Sequence, residues 1–283
     1  MKRTPLIIIS VKSLSPLALS IYGNETISTP HLDQLAWTGT VFHEYHSNHE
    51  GFAKVFEQVQ LYCNENHLSF APNSISVGEL PAVIMPVERD ILWYRIDNDR
   101  DETASDIVQA IEQLIYRIIQ KLDINSCNWI ITAESGGFLD KEQSSAASFA
   151  IDYQNSLTRQ FWAPLIISPA RENAEHCRNH SLLFVDDLLT LICEQSGLNS
   201  EFIMKGREEI LLESENQIGL RTSKWLLCLP RTEIDPTNEY SHLLEEPELF
   251  AKPEDRFDLN DISQSEPELT SDLMQKLREM IKK

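Results

Sequence analysis

Positive charge is scarce in this sequence: 24 lysines and arginines stand against 44 aspartates and glutamates, a formal charge of −20. A chain of that sign repels phosphates, so neither nucleic acid nor an anionic membrane is an expected partner. The same field disfavours anionic esters as substrates unless a local basic pocket overrides it. Cysteine is sparse as well. The five residues (Cys63, Cys127, Cys177, Cys193, Cys228) are odd in number, scattered, and never spaced Cys-x-x-Cys. That spacing excludes a disulfide framework and leads us to expect reduced packing thiols in a cytoplasmic protein. Long apolar runs are missing too, and nothing approaches the ~20 residues of a membrane helix. Lys2-Arg3 ahead of Leu6–Ile9 superficially suggests a signal peptide, but the run is too short and no small-residue cleavage pattern follows. Neither an internal repeat nor a low-complexity segment is found.

What is present is ordinary globular composition, 42% hydrophobic and 24% charged over 283 residues, enough for a large core. The run Leu6-Ile7-Ile8-Ile9 reads as a strand buried on both faces. After it come a loop over Val11–Pro16 and the turn signal Tyr22-Gly23-Asn24. Thr29 then caps, and Pro30 opens, a helix with Leu32, Leu35 and Ala36 on one face. Gly39 ends that helix and Thr40-Val41-Phe42 starts another strand. In open parallel sheets the chemistry sits beyond the carboxyl ends of the strands, which puts it in the Val11–Pro16 loop.

Further along, Ala53–Tyr62 is a short helix and 67–86 a proline-marked loop with extended pieces. Ile91–Asp97 reads as a second buried strand. Asp101–Asp123 is the best helix, with the stripe Ile107, Ile111, Leu114, Ile115, Ile118, Ile119 and Leu122. Ile130–Thr132 reads as a further strand. A helix falls within Ser181–Gly197, where Asp186-Asp187 suits the positive end of its dipole better than a metal. Beyond Lys205 three short strands (Glu209–Glu213, Gln217–Thr222, Lys224–Leu229) suggest an antiparallel meander, followed by an acid-rich stretch, Glu245–Asp272, read as a solvated face or loose loop. The amphipathic helix Leu269–Ile281, packing Leu273, Leu277 and Ile281, closes the chain. The boundaries expected are 1–204 for an α/β domain and 205–283 for a C-terminal subdomain.

His43, His46 and His49, spaced by three, either line one side of a turn around a transition metal or sit in a polar loop by accident of spacing. Gly136-Gly137 marks a tight turn or a phosphate-cradling loop.

The strand, loop, Tyr22-Gly23, Thr29-Pro30-His31-Leu32-Asp33-Gln34-Leu35-Ala36, Gly39 and Val41-Phe42 resemble the amino terminus of a sulfatase of the alkaline-phosphatase superfamily. Phe161–Pro169, Arg221-Thr222-x-Lys224-Trp225-Leu226 and Glu248–Leu259 resemble later segments of the same family. The resemblance implies an alkaline-phosphatase-like α/β fold, a mostly parallel central sheet flanked by helices with a small C-terminal antiparallel sheet plus helix. It also implies a divalent cation, usually calcium, held by an Asp-Asp pair after the first strand and by the end of a Thr-Ser-Asp-His-Gly strand. Without gaps those positions are Lys12 and Ser13, then Glu134 and Ser135. A lysine offers no lone pair while protonated, and Glu134 is the one residual ligand position. The family's nucleophile motif, Cys/Ser-x-Pro-x-Arg, corresponds to Glu50–Phe56, which holds no Cys, Ser, Pro or Arg. No Lys or Arg falls between Lys141 and Arg159 to bind a sulfate. Cys63 lacks the motif around it and reads as a packing or surface thiol.

The expectation is therefore a sulfatase-like protein without catalytic residues and without a metal cofactor, in which Lys12 pairs with Glu134 in place of the cation. It would serve as a binding or regulatory protein for an unknown protein or small-molecule ligand. The alternatives are a hydrolase rebuilt around His43, His46, His49 and Glu134 with another metal, and an interaction protein using its acidic C-terminal region.

Overall fold

In the computed structural model, which describes residues 4–79, 89–98, 102–137, 156–169, 176–197, 205–231 and 246–282, the apolar run becomes β1 (Leu6–Val11). All six of its residues are buried, which is why the pattern is continuous rather than alternating. Burying each Leu or Ile is worth about 1.5–3 kcal/mol.

The elements that follow are α1 (Pro30–Trp37), β2 (Thr40–Phe42), β3 (Tyr45–His46), α2 (His49–Glu65), β4 (Phe70–Ser76), β5 (Ile91–Asp97), α3 (Ala104–Ile119), β6 (Asn128–Ala133), a helical turn at Leu157–Phe161, β7 (Leu165–Ser168), β8 (Cys177–Asn179), β9 (Leu183–Phe184) and α4 (Asp187–Gln195). Then come β10 (Glu209–Glu213), β11 (Gln217–Thr222), β12 (Trp225–Pro230), β13 (Glu248–Ala251) and α5 (Pro267–Ile281). The chain gathers into two compact units, one drawn from Met1–Ser148 and Trp162–Lys205, the other from Phe149–Phe161 and Gly206–Lys283. Among the described residues no helix is long and apolar enough to cross a membrane.

In the first unit a seven-stranded sheet runs β4-β5-β1-β6-β7-β2-β8, with β1 an interior strand between β5 and the central β6. Every pairing is parallel except those of β7 with β6 and β2. Helix α1 packs on α3, and α2 on α4. Two sequence expectations around α1 change in detail. Thr29 precedes α1, but its hydroxyl does not cap the helix and bonds Asp33 instead. The cap comes from α3, whose buried Glu112 accepts the His31 and Leu32 amides at 3.0 and 2.9 Å and the His31 ring at 2.7 Å. A carboxylate suits the positive helix end. Gly39 lies beyond the end of α1, and its missing side chain matters for packing: a Cβ there would stand 2.3 Å from the Ile167 carbonyl oxygen of β7.

Residues 70–76 are a full strand, not a loop. β4 is the sheet edge, where Pro72, with no amide to donate, is tolerated on an exposed position. The remainder of that expected loop, 80–86, lies outside the described residues. Helix α2 is longer than Ala53–Tyr62 because Asn48 caps it, accepting the Gly51 amide at 2.7 Å. Helix α3 begins on a capping box between Thr103 and Asp106.

In the second unit β10-β11-β12-β13 form an antiparallel sheet. Leu273 and Leu277 of α5 join Leu220, Leu227, Leu229 and Leu249 in one cluster, while Ile281, expected in the same stripe, is largely exposed. From 246 onward the acid-rich stretch is tied down rather than loose. Asp261 accepts the Leu249 and Ser263 amides, and Asp255 accepts those of Leu259 and Asn260. The acids serve local backbone donors, which an exposed chain would leave to water.

Candidate functional site

Parallel pairing in register sets the site. Ser10 of β1 faces Arg95 on β5 to one side and Thr132 on β6 to the other. Side chains in register share a sheet face, and two residues past Thr132 the same face carries Glu134. Ser10 is small and fully buried, so the Arg95 side chain passes over β1 and reaches the far neighbour. Its Nε donates to Glu134 Oε1, and its second terminal nitrogen donates to Oε2 at 2.9 Å. This is a bidentate guanidinium–carboxylate pair, the stronger kind of charge-assisted contact. The Glu134 side chain is 4% exposed and that of Arg95 44%. Hydrogen bonding to Glu134 raises the Arg95 guanidinium above its ordinary value. Asp97, at 3.7 Å, sits beside the guanidinium.

The expected Lys12–Glu134 bridge is therefore replaced. Among the described residues no ion pair joins Lys12 to Glu134, and the Lys12 side chain is exposed while its amide continues the sheet toward the Ile96 carbonyl at 3.0 Å. The internal cation comes from β5. Arg95 is the residue that sequence reasoning missed, although a lone arginine inside the apolar run Ile91–Asp97 was the available signal.

Lys12, Ser13, Glu134 and Ser135 do meet at one end of the sheet, through hydroxyls and backbone. Ser13 donates its amide to Asn98 Oδ1 (3.1 Å) and its hydroxyl to the Gly136 carbonyl (2.6 Å). The Ser135 hydroxyl lies 3.2 Å from the Lys12 carbonyl, 3.1 Å from that of Gly136 and 3.1 Å from His49 Nε2. The other ring nitrogen, His49 Nδ1, is 3.5 Å from Glu134 Oε2. The Leu14 amide donates to the Ser135 carbonyl. Gly137 lets the two loops close, since a Cβ there would fall 2.7 Å from the Ser15 nitrogen.

These residues do not fit a divalent cation. Both Glu134 oxygens face a guanidinium, Ser13 and Ser135 are turned to carbonyls, and Lys12 brings positive charge where a carboxylate would be needed. The three histidines go separate ways. His43 stacks on His180 at 4.7 Å and lies 3.2 Å from an Arg178 nitrogen, and His46 is buried in β3. His49 alone reaches the site. Among the described residues no three His, Cys, Asp or Glu side chains group as a metal site.

The stretch Glu50–Phe56 forms the first turns of α2, with Phe52 and Val55 buried. Burial pushes the Cys63 thiol up to about 11 and raises Cys127, Cys193 and Cys228 as well, the behaviour of packing thiols rather than reactive ones. Cys177 is exposed on the edge strand β8. Most of the interval 141–159 that lacks basic residues lies outside the described residues.

The fold defines the class: an α/β protein of sulfatase-like fold. The chain superposes on a putative sulfatase, yidJ, from Bacteroides fragilis with a TM-score of 0.65 and 12% identity, covering 100% of this chain and 96% of that one. PsFucS1 sulfatase from Pseudoalteromonas sp. gives 0.62 and 10%, covering 99% and 90%. Ps i-CgsB, solved with k-i-k-neocarrahexaose, gives 0.67 and 12%, covering 98% and 92%. No protein-family model matches the sequence, and no curated protein matches it.

Proposed function

We propose that this protein keeps a sulfatase framework while having exchanged the metal-dependent ester-hydrolysis site for an internal ion pair, and that it works as a binding or regulatory protein. The Arg95–Glu134 pair carries the reading. A cation that polarises a sulfate ester needs several free oxygens around it, and the two carboxylates at this sheet end, Glu134 and Asp97, both lie against the Arg95 guanidinium. The make-up of Glu50–Phe56 supports it from the other side, because sulfate-ester cleavage also needs a nucleophile at that position and the stretch holds no Cys, Ser or Thr. The alternative of a hydrolase built on three histidines and Glu134 loses its support with the divergence of His43 and His46.

Its ligand is a protein or small molecule rather than nucleic acid or an anionic membrane, in keeping with the charge of −20. The five unpaired cysteines fit a reducing, cytoplasmic setting. Elemental analysis of the purified protein, with aryl-sulfate and aryl-phosphate assays in added calcium, tests the reading. We expect no stoichiometric metal and turnover at background. Stoichiometric calcium, or turnover that Glu134→Ala abolishes, would overturn it.

A further inference from the structure

We propose that Ser135 is a nucleophile for covalent capture of activated acyl or phosphonyl electrophiles, with His49 as its general base and Glu134 as the carboxylate that orients the imidazole. This goes beyond the reading above and shares its Arg95–Glu134 pair, but it needs neither a metal nor the sulfatase nucleophile position.

The arrangement is a linear relay. Arg95 clamps both oxygens of Glu134, and the carboxylate lies beside the imidazole, with Oε2 3.5 Å from His49 Nδ1. A carboxylate that near stabilises the positive charge that forms when Nε2 takes up a proton. That nitrogen is 3.1 Å from the Ser135 hydroxyl, within reach for proton transfer. The hydroxyl has two carbonyls, Lys12 and Gly136, at 3.2 and 3.1 Å, so its proton moves from a resting acceptor to the imidazole by rotation about one bond. Ser135 stands directly beyond the carboxyl end of β6, in a turn that Gly137 draws tight against Leu14 and Ser15. The serine is buried, whereas the His49 side chain is 54% exposed, and the imidazole edge is the approach. The set is recognised by geometry and roles rather than by sequence order.

With an activated ester, Oγ forms a bond to the carbonyl carbon and its proton passes to His49 Nε2. The ester C–O bond then breaks, and the imidazolium returns the proton to the departing oxygen. With a fluorophosphonate, Oγ bonds to phosphorus, the P–F bond breaks, fluoride leaves, and the proton reaches water through His49.

The test uses the full chain and a reporter-bearing fluorophosphonate, with the adduct mapped by peptide mass spectrometry and folding checked by circular dichroism. We expect a single adduct on Ser135, none on Ser135→Ala, and labelling slowed about 100-fold or more in His49→Gln, a general base being worth that much. Glu134→Gln is expected to lower the limiting labelling rate without moving the half-saturating probe concentration, which separates positioning from binding. His49 is a half-exposed helix-end residue, so His49→Gln keeps the test open even where Glu134→Gln fails to fold. No adduct on Ser135 of the folded protein, or equal rates in wild type and His49→Gln, overturns the proposal.

Discussion

Two ion pairs in this molecule look alike on paper and differ in what they leave open. In the second unit Lys252 meets Asp258 with side chains 2% and 4% exposed. Every polar atom of that pair has a protein partner. Lys252 also donates to the Asp255 carbonyl, and the Asp258 oxygens accept from the Ser156 and Thr158 hydroxyls. In the first unit Glu134 is as buried as Asp258, but its partner Arg95 is 44% exposed. One pair is a sealed clasp between chain segments. The other is a clamp with one side in water, and its carboxylate also serves a histidine and lies next to a serine. The lesson is that burial of one partner with solvation of the other marks a place where chemistry remains accessible.

The sharpest way to break the comparison is to remove one cation at a time. Lys252→Met should destabilise the protein by about 3–5 kcal/mol, because it strands a carboxylate with no water to take over. Urea unfolding measures it. Arg95→Met should cost less in stability, about 1–2 kcal/mol, since the guanidinium it removes is 44% exposed and leaves a path for water to the carboxylate, which also keeps His49 beside it. Equal losses for the two variants would show that exposure of the cation does not separate them. Between these falls Glu112→Ala, which leaves two first-turn amides of α1 and the His31 ring without their acceptor. A loss of about 2–3 kcal/mol is expected for a charged, buried cap.

How much of this was legible in the sequence follows from range. Strand β1 was plain because burial on both faces writes an unbroken apolar run, and α3 because its stripe has helical period. The four positions Lys12, Ser13, Glu134 and Ser135 were legible as neighbours, since each follows a readable strand. The Arg95 clamp was not, because it depends on the parallel register of three strands and on Ser10 being small enough to reach over. His49 was visible as one of three evenly spaced histidines, and the spacing misled: the chain passes from β2 through β3 to the start of α2, so equal steps in sequence point in different directions. Glu112 was invisible for the same reason as Arg95. A cap supplied by another helix leaves no local mark, whereas the Thr103–Asp106 capping box lies within four residues.

That capping box gives the open extreme of the series, a carboxylate hydrogen-bonded but in water, and it carries the smallest expected effect. The Thr103 hydroxyl and amide hold Asp106 below the usual carboxylate range. A carboxyl depressed in the folded state contributes stability that is present above the unfolded pKa and is lost as pH falls through the folded one. Asp106→Asn should therefore cost a few tenths of a kcal/mol near neutral pH, water competing for every bond. The difference between wild type and variant should shrink as pH falls below about 4, the ordinary aspartate value. Urea unfolding at neutral and acid pH reads it. A gap that widens toward acid would reverse the sign assigned to this carboxyl and, with it, the ordering in which exposure sets how much a hydrogen-bonded carboxylate is worth.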